Sequence, residues 1–451
     1  MNRHVRRSLL WVASFILLGQ TAGWSDEFRI ERGRMHDILN IVANDVEKHY
    51  YDPKLKGLDW KALTAQGHQQ IDKAQSVSDM ITAIFNVVYK LKDSHTAFLP
   101  PGRVQRPIFG FEAKAYGNEI RVYRIKKDGP AIASGLQVGD RILRVNNFDA
   151  ERSTYDTMML FFRVIRPASQ LQIVYQHGTE PPKTTQIEVK MKQGNVIEDL
   201  TSNFDFWQLV RDSESPTFHF WAAFNDAIGY MYVPSFGSLV PPEVHKLNNP
   251  KALIVDLRGN PGGRIDTLLD LAGHFVAEHG KLADMVRREK TEPMKLAPSK
   301  PSFAALPVIV MVDSESSSAA EIFARFIQNR GNGVVLGDHT LGRVMAANVF
   351  PGHVGIDTIV PFATYISIGK VVFPDGTELE QKGVVPDVAC TATAQDLAAN
   401  QDSCLMLAVS IAKEKLGLDK ELSDETRSQV ASLAKEMAEK YDTQYQNMSI
   451  H

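Results

Sequence analysis

Residues 308–323 read Val308-Ile-Val-Met-Val-Asp-Ser-Glu-Ser-Ser-Ser-Ala-Ala-Glu-Ile-Phe323. The first five residues form a continuous apolar run, which is typical of a strand buried on both faces. The serine-rich segment that follows opens a stretch of helical periodicity. A hydroxyl at this point would lie at the N-terminus of a helix, where free N–H groups and the helix dipole favour negative charge. The stretch therefore predicts a buried strand that passes directly into a helix.

Similar apolar runs lie on the N-terminal side of this unit. Residues 228–233 (Ile-Gly-Tyr-Met-Tyr-Val) and 252–257 (Ala-Leu-Ile-Val-Asp-Leu) have the same continuous apolar character, and helical stretches are predicted at about 265–278 and 318–330. Strands that alternate with helices in this way indicate an α/β core. We expect this core to occupy residues 194–395.

Two segments at the ends of predicted strands carry candidate chemistry. The serine-rich segment suits an acyl-transfer nucleophile, because a helix N-terminus also supplies donors for an oxyanion. The alternative is a helix cap, for which three serines compete. Asp256-Leu-Arg-Gly-Asn-Pro-Gly-Gly-Arg264 also follows a buried strand, and its adjacent glycines would let the backbone approach a ligand closely. A plain turn is the alternative for the glycine pair, but the two segments together favour the nucleophile.

Residues 106–193 show a different pattern, with short strands separated by turn residues. The centre of this region reads Gly129-Pro-Ala-Ile-Ala-Ser-Gly-Leu-Gln-Val-Gly-Asp-Arg-Ile-Leu-Arg-Val-Asn-Asn147, which closely resembles the most recognisable segment of PDZ domains. The resemblance implies that the loop at Phe109, Gly110 and Phe111 receives the C-terminal carboxylate of a peptide. A strand edge beside the loop would pair with the peptide main chain. The alternative is a small β-rich insert without this role.

The two ends of the chain differ from its centre. Residues 26–105 form an N-terminal helical region, in which Asp59 is an N-cap candidate, and residues 396–451 return to helical periodicity with many charges, which predicts a solvated helical tail. Residues 1–25 combine three arginines with an apolar run and small residues, which is the pattern of a secretory signal peptide. A membrane anchor is the alternative, but the apolar run is shorter than the ~20 residues that span a bilayer. We therefore expect an exported protein, periplasmic if its source is a Gram-negative bacterium, without a stable membrane span after cleavage.

Composition narrows the classes of function. The 451 residues are 44% hydrophobic and 23% charged, as in ordinary globular proteins. The formal net charge of −3 provides no basic field for nucleic acid. The two cysteines, Cys390 and Cys404, could form a disulfide in an exported protein or stay as buried thiols. A metal-binding spacing such as His-Glu-x-x-His does not occur, and neither a metal nor an organic cofactor is expected.

Taken together, these segments resemble the C-terminal processing peptidases, also called tail-specific proteases. The resemblance extends from about residue 30 to 390 and rests on five segments in the family's order, namely 93–101, the PDZ-like run, 256–263, 316–321 and 374–387. It implies a crotonase-like α/β peptidase core with an inserted PDZ domain and flanking helical regions. It also implies that Ser318 attacks the peptide carbonyl, while the N–H groups of Ala319 and of Gly262 or Gly263 form the oxyanion hole. Polypeptides with apolar C-termini would be the substrates, and a homo-oligomer or an adaptor role is compatible with the sequence.

The sequence departs from this family at the general base. The family's Lys stands in a Thr-Phe-Gly-Lys-Gly segment, whereas Thr340-Leu-Gly-Arg-Val has Arg343 at that position. A guanidinium stays protonated and cannot accept a proton. Some branches of the wider family use a Ser–His–Glu arrangement, which here implies His95 as the base and Glu380 as the residue that orients its imidazole. Other bases remain open, namely His339, His353, Lys370 and Lys382.

A further alternative is that hydrolysis has been lost. The protein would then be a catalytically inactive peptide-binding scaffold or adaptor, in which Arg343 is structural or binds a carboxylate. A CoA enzyme could share the α/β core, but it would not explain the PDZ-like run or the export signal.

Overall fold

The structure is a computed structural model that describes residues 5–101, 105–193, 220–237, 249–356 and 358–447. The first four residues of the predicted signal peptide and residues 194–219 of the predicted core lie outside these ranges. Among the described helices, none is long and apolar enough to cross a membrane.

Three helices form the N-terminal region: α1 (Val5–His49), α2 (Trp60–Lys73) and α3 (Val77–Tyr89). Apolar residues that recur at helical spacing, among them Ile38 and Ile84, are fully buried where these helices pack together. Asp59 caps α2 as predicted, since its carboxylate accepts the Ala62 N–H at 2.9 Å. The short strand β1 (Ala97–Leu99) follows these helices.

Residues 105–193 form a β-rich module. Its elements are β2 (Gln105–Ile108), β3 (Phe111–Tyr116), β4 (Glu119–Ile125), β5 (Arg141–Val145), β6 (Phe148–Asp149), α4 (Tyr155–Leu160), β7 (Gln170–Gln176), β8 (Lys183–Glu188) and β9 (Lys190–Gln193). The main sheet has the order β3-β4-β5-β7-β8, with β6 paired to β5, and β2 pairs separately with β9. Strand β3 therefore lies at an edge of the main sheet.

The core follows with alternating strands and helices. Its elements are β10 (Phe220–Phe224), β11 (Ile228–Tyr232), β12 (Ala252–Asp256), α5 (Ile265–Gly273), β13 (Gly280–Arg287), β14 (Thr291–Leu296), β15 (Val308–Val312), α6 (Ala319–Gln328), β16 (Gly333–Gly337), β17 (Met345–Val354), β18 (Val360–Val372) and β19 (Val388–Ala389). One sheet has the order β10-β11-β12-β15-β16-β19, in which only β10 is antiparallel to its neighbour. Every residue of β11, β12 and β15 is buried, which confirms the predicted strands.

The C-terminal region consists of α7 (Ala394–Ala399), α8 (Ser403–Lys415) and α9 (Asp424–Asn447). Helices α5 and α6 cover one face of the parallel sheet, and α8 and α9 cover the other, where Leu405 and Ala408 are fully buried. The prediction of a solvated tail is therefore wrong. The physical reason is that a parallel sheet exposes apolar residues on both faces, and the second face needs a cover.

A second sheet connects the N-terminal helices to the core. It has the order β1-β18-β13-β14, and β17 pairs with β18. Phe98 and Phe362 of this sheet pack against the N-terminal helices, whereas Met285 and Val371 belong to the core cluster. Strand β1 thus brings the preceding Asp-Ser-His segment into the neighbourhood of the core.

Candidate active site

The serine-rich segment forms a tight turn between β15 and α6. Asp313 fixes this turn, because its Oδ1 accepts the N–H groups of Gly259, Glu315 and Ser316 at 2.9–3.1 Å. Ser318 is the N-cap of α6 and has φ 58° and ψ −119°. Such a conformation costs a non-glycine residue about 1–3 kcal/mol and is often found at functional sites. We call this segment, residues 313–318, the nucleophile turn.

The three serines of the nucleophile turn have different environments. The Ser316 hydroxyl donates to the Leu257 carbonyl at 2.8 Å, and the Ser317 hydroxyl donates to the Pro261 carbonyl at 3.0 Å. Both of these serines are fully buried, whereas Ser318 is partly exposed. Ser316 and Ser317 therefore hold the glycine loop in place, and Ser318 is the accessible one.

The glycine pair lies directly against the nucleophile turn. A Cβ at Gly262 would lie 2.6 Å from the Ser318 Cβ and 2.9 Å from the Ala319 nitrogen, and a Cβ at Gly263 would lie 2.3 Å from a backbone carbon of the neighbouring loop. Both glycines also have positive φ, so no other residue fits. The Gly262 N–H donates to Asn260 Oδ1 at 2.7 Å. The N–H groups of Gly263 and Ala319 donate to no described residue, which leaves these two of the three predicted donors available.

Glu321 is fully buried next to the nucleophile turn and accepts four hydrogen bonds. Its Oε2 accepts the N–H groups of Ser318 and Arg343 at 3.0 and 2.9 Å. Its Oε1 accepts the Gly342 N–H and the Thr340 hydroxyl at 2.7 and 2.5 Å. Burial raises the pKa of Glu321 to about 7, although all four donors favour the ionised form. This carboxyl group places the backbone of Arg343 beside that of Ser318.

The side chain of Arg343 extends from there to the β-rich module. Its Nη2 lies 3.7 Å from Asp156 Oδ2 on α4. No hydrogen bond joins the guanidinium to a residue of the described chain. Arg343 therefore faces the module from the position at which the family's Lys was expected.

His95 belongs to a chain of polar groups that includes Glu380. The imidazole is 2% exposed, and its Nδ1 lies 2.8 Å from Ser94 Oγ. The Ser94 hydroxyl donates to Glu380 Oε2 at 2.8 Å and therefore accepts from the imidazole Nδ1–H. This assignment leaves a lone pair on Nε2, which is the form that accepts a proton. Glu380 thus reaches His95 through the hydroxyl of Ser94.

Glu380 also connects this group to the nucleophile turn. Its Oε2 accepts the Val344 N–H at 2.8 Å, and Val344 follows Arg343, whose own N–H is bound by Glu321. Neighbouring N–H groups therefore bind the buried Glu321 and the partly buried Glu380. Through the backbone of Arg343, the two sets of hydrogen bonds connect the Ser318 backbone to the imidazole.

Asp93 anchors the loop that carries the imidazole. Its Oδ1 accepts the His95 N–H and the Thr96 hydroxyl at 3.0 Å, and its Oδ2 accepts the Tyr50 hydroxyl at 2.8 Å. Burial, followed by the charge of Asp93, raises the pKa of Glu380 above its ordinary value. Asp93 thus supports the backbone of the loop and also influences the carboxylate behind the imidazole.

Sequence reasoning did not identify every residue of this site. Ser94 directly precedes His95, so its polar side chain was an available signal. Glu321 lies in the segment 316–321 but received no role, although its type and spacing suit a residue that binds the helix N-terminus. Asp156 carried no signal, because it lies in another module and meets Arg343 only in the folded chain.

The predicted peptide-binding loop connects β2 to β3. Phe109 and Phe111 are buried in the core of the module, and Gly110 has φ 81°. Strand β3 and helix α4 line a cavity of about 720 Å³, whose other walls come from the core and from α8 and α9. The face predicted to bind peptides therefore opens toward the core.

A disulfide joins Cys390 to Cys404 and links the end of β19 to α8. Among the described residues, no group of three or more His, Cys, Asp or Glu side chains is arranged to hold a metal ion.

Comparison with known families matches three parts of the chain. The model of peptidase family S41 matches residues 227–390, which include the nucleophile turn, the glycine pair and Arg343. Residues 227–390 thus resemble the peptidase domain of family S41. A PDZ domain model matches residues 102–174, and a tricorn protease C1 domain model matches residues 36–86. The predicted resemblance to a peptidase family with a PDZ domain is therefore confirmed.

Two relatives of this chain are named as carboxyl-terminal-processing enzymes. Carboxyl-terminal-processing peptidase 1 of Arabidopsis thaliana chloroplasts is 23% identical over 382 residues, which cover 78% of this chain and 69% of that protein. The carboxyl-terminal-processing protease of Synechocystis sp. is 23% identical over 360 residues, which cover 76% of this chain and 78% of that protein. The solved structure of mature CPAF complexed with lactacystin has a TM-score of 0.61 at 12% identity and covers 92% of this chain and 100% of that one. At this identity the likeness shows a shared fold alone.

Proposed function

We propose that this protein is an exported serine endopeptidase that cleaves polypeptides near their C-termini, while its PDZ domain binds the substrate C-terminus. The observation that carries the proposal is the network that connects the nucleophile turn at Ser318 to the imidazole of His95. The match to the model of family S41 and the similarity to carboxyl-terminal-processing peptidases support the class of reaction. The crotonase-like description of the core and the signal peptide at residues 1–25 belong to the same proposal.

In the acylation step, the Ser318 hydroxyl attacks the carbonyl carbon of the scissile peptide bond, and its proton passes to Nε2 of His95. Glu380, acting through the intervening serine hydroxyl, stabilises the imidazolium that forms. The N–H groups of Gly263 and Ala319 donate to the developing oxyanion, and the dipole of α6 acts in the same sense. When the intermediate collapses, the C–N bond breaks, the imidazolium protonates the leaving amine, and the C-terminal fragment departs.

In the deacylation step, a water molecule attacks the ester on Ser318 and gives a proton to His95. The ester bond then breaks, and the Ser318 oxygen takes the proton back. The products are a polypeptide with a new C-terminal carboxylate and a fragment with a new amino group. Both steps use the same donors and the same base.

A peptide-binding scaffold without hydrolysis is the second candidate. It is favoured by one observation, since Arg343 stands at the position of the family's Lys and a guanidinium cannot act as a base. The cavity beside β3 would then be the functional site.

The two candidates are separated by one comparison. The chain without residues 1–25 is assayed on an unfolded protein and on a peptide with an apolar C-terminus, beside Ser318→Ala, His95→Ala and Arg343→Ala. We expect Ser318→Ala and His95→Ala each to lower the cleavage rate by at least about 100-fold. Absence of turnover in the unmutated protein, with peptide binding retained, would favour the scaffold. Full activity of Ser318→Ala would remove Ser318 from the mechanism.

A further inference from the structure

Arg343 spans the gap between the nucleophile turn and the PDZ domain. Its backbone N–H and that of Ser318 bind the same oxygen of Glu321. Its guanidinium ends beside Asp156 on α4, which lines the same cavity as β3. A polypeptide that extends from the peptide-binding face of the PDZ domain to Ser318 would therefore pass this side chain.

The guanidinium of Arg343 is held more loosely than three of the other cations that line the cavity. Lys114, Arg124 and Arg258 each bind a carboxylate at 3.0 Å or less. The 3.7 Å between Arg343 and Asp156 exceeds the hydrogen-bonding range. The Asp156 side chain is 46% exposed and that of Arg343 is 22% exposed, so the pair is accessible to a competing group. The N–H donors of Arg343 are therefore available to a better acceptor.

The chemistry of a guanidinium determines what that acceptor is. Its planar N–H donors match the two oxygens of a carboxylate, and such pairs are among the stronger hydrogen bonds in proteins. The cavity of about 720 Å³ has room for a segment of polypeptide beside the guanidinium. Asp156 marks the place that a carboxylate from a bound chain would take.

We propose that Arg343 is a specificity-determining residue that binds a carboxylate of the substrate in the cavity beside the PDZ domain, in place of Asp156. This inference rests on the proposed peptidase function. The carboxylate can come from an Asp or Glu side chain of the substrate or from its chain terminus. This chain has Arg where the family has Lys, so a group that recognises acidic substrates takes the place of a proton acceptor.

Peptide binding to Ser318→Ala, in the chain without residues 1–25, tests this inference without turnover. Fluorescent peptides carry an apolar C-terminus and a single Glu, which is moved through successive upstream positions, and each is compared with the same peptide carrying Gln. We expect one position at which Glu binds about tenfold more tightly than Gln. Raising the salt concentration should reduce this preference, because the pair is partly exposed to solvent.

Second substitutions in the Ser318→Ala background assign the preference to Arg343. We expect Arg343→Gln to reduce the Glu/Gln ratio to less than about twofold and Arg343→Lys to retain part of it, since Lys keeps the charge without the planar donors. Asp156→Asn should tighten binding of the Glu peptide, because it removes the competing carboxylate. Arg144→Gln makes the same change of charge at an exposed arginine of the PDZ domain and should keep the ratio.

Peptides with amidated C-termini distinguish the two sources of the carboxylate. If amidation weakens peptide binding to Ser318→Ala but not to the double variant with Arg343→Gln, Arg343 binds the carboxylate of the chain terminus. If binding instead depends on Glu rather than Gln, Arg343 binds the carboxylate of a side chain. A Glu/Gln ratio near one at every position, with no Arg343-dependent effect of amidation, overturns the inference. Weaker binding of the Glu peptide to Asp156→Asn would also overturn the inference. This result does not depend on whether Arg343→Gln folds. Cleavage by the unmutated protein is measured separately, so the proposed function and this inference can fail independently.

Discussion

Glu321 and Glu380 bind the neighbouring N–H groups of Arg343 and Val344 at 2.9 and 2.8 Å. At the residue scale, these two carboxylates determine the geometry of the site. Glu321 also binds the Ser318 N–H, and Glu380 also binds the Ser94 N–H, so each carboxylate joins two backbone segments of the site. The side chain of Arg343 is not needed for this arrangement, since its backbone makes the contact. The site can therefore keep its shape although the family's Lys is absent.

Ser94 is expected to act as a positioning residue. Ser94→Ala removes the hydroxyl that joins the imidazole to Glu380, so kcat should fall about 10- to 100-fold with KM little changed. Ser94→Thr keeps a hydroxyl and should restore most of the rate. Peptidase assays over a range of pH provide the measurement. A wild-type rate and pH profile for Ser94→Ala would contradict the connection through Ser94.

Glu321 predicts a dependence of stability on pH. Burial raises its pKa from the ordinary value of 4.5 to about 7, so the folded state favours the neutral carboxyl group. Its contribution is fully present below about pH 4.5 and is lost as the pH rises to about 7, with an expected loss of roughly 3 kcal/mol. Urea unfolding of the unmutated protein at several pH values should show this decrease, and Glu321→Gln should lack it. Glu278 is exposed, so Glu278→Gln should leave the pH dependence of the free energy of unfolding unchanged. An unchanged pH dependence in Glu321→Gln would show that Glu321 is not its source.

At the scale of secondary structure, the parallel sheet needs helices on both faces. Helices α5 and α6 supply one layer, and the first of the two also follows the glycine pair. Helices α8 and α9 supply the other layer, although their many charged residues suggested solvent-exposed helices. Apart from the buried Lys413, the charges occupy the outer sides of these helices, and the inner sides are otherwise apolar. The C-terminal region is therefore part of the fold.

Leu405 tests the role of α8. It is fully buried between α8 and the sheet, so Leu405→Ala should lower the free energy of unfolding by about 2–5 kcal/mol, through lost apolar burial and the cavity that remains. Leu418, which is 42% exposed, provides the matched control, and Leu418→Ala should cost less than about 1 kcal/mol. Chemical denaturation measures both. Equal effects of the two substitutions would show that α8 does not cover the core.

At the scale of the whole molecule, the PDZ domain contacts the nucleophile turn directly. Lys114 on β3 binds Asp313 at 2.7 Å and Glu315 at 2.9 Å, and the Ser314 hydroxyl donates to the Ala115 carbonyl at 2.6 Å. Burial alone would raise the pKa of Asp313, but the charge of Lys114 and the backbone donors lower it overall. The turn that carries Ser318 is thus stabilised in part by a residue of another domain.

Lys114→Met tests this contact between domains. Loss of the ammonium leaves two carboxylates without their cation in a largely buried place, so the free energy of unfolding should fall by about 3 kcal/mol. Because Asp313 fixes the nucleophile turn, kcat/KM should fall as well. Lys127→Met, which changes an exposed lysine of the same domain, should alter neither quantity appreciably. Denaturant unfolding and peptidase assays measure the two effects, and unchanged values for Lys114→Met would show that the contact is not stabilising.

The sequence determined the features that depend on neighbours along the chain. Continuous apolar runs predicted β11, β12 and β15, helical spacing predicted a helical N-terminal region, and Asp59 was recognised as a cap. Hydrophobic period and cap residues are local properties, so they can be read without a partner segment. The order of the motifs also indicated the resemblance to C-terminal processing peptidases, which the comparison confirmed.

Only the tertiary structure decided which groups of the candidate site meet. It separated Ser318 from the two buried serines beside it, left Gly263 rather than Gly262 with an available N–H, and inserted Ser94 between His95 and Glu380. It also placed Arg343 against Asp156 of the PDZ domain and α8 against the sheet. Each of these contacts depends on the exact path of the backbone or joins segments that are far apart in sequence. Local sequence patterns do not predict such contacts, because hydrogen bonds and packing between distant segments form only when the whole chain has folded.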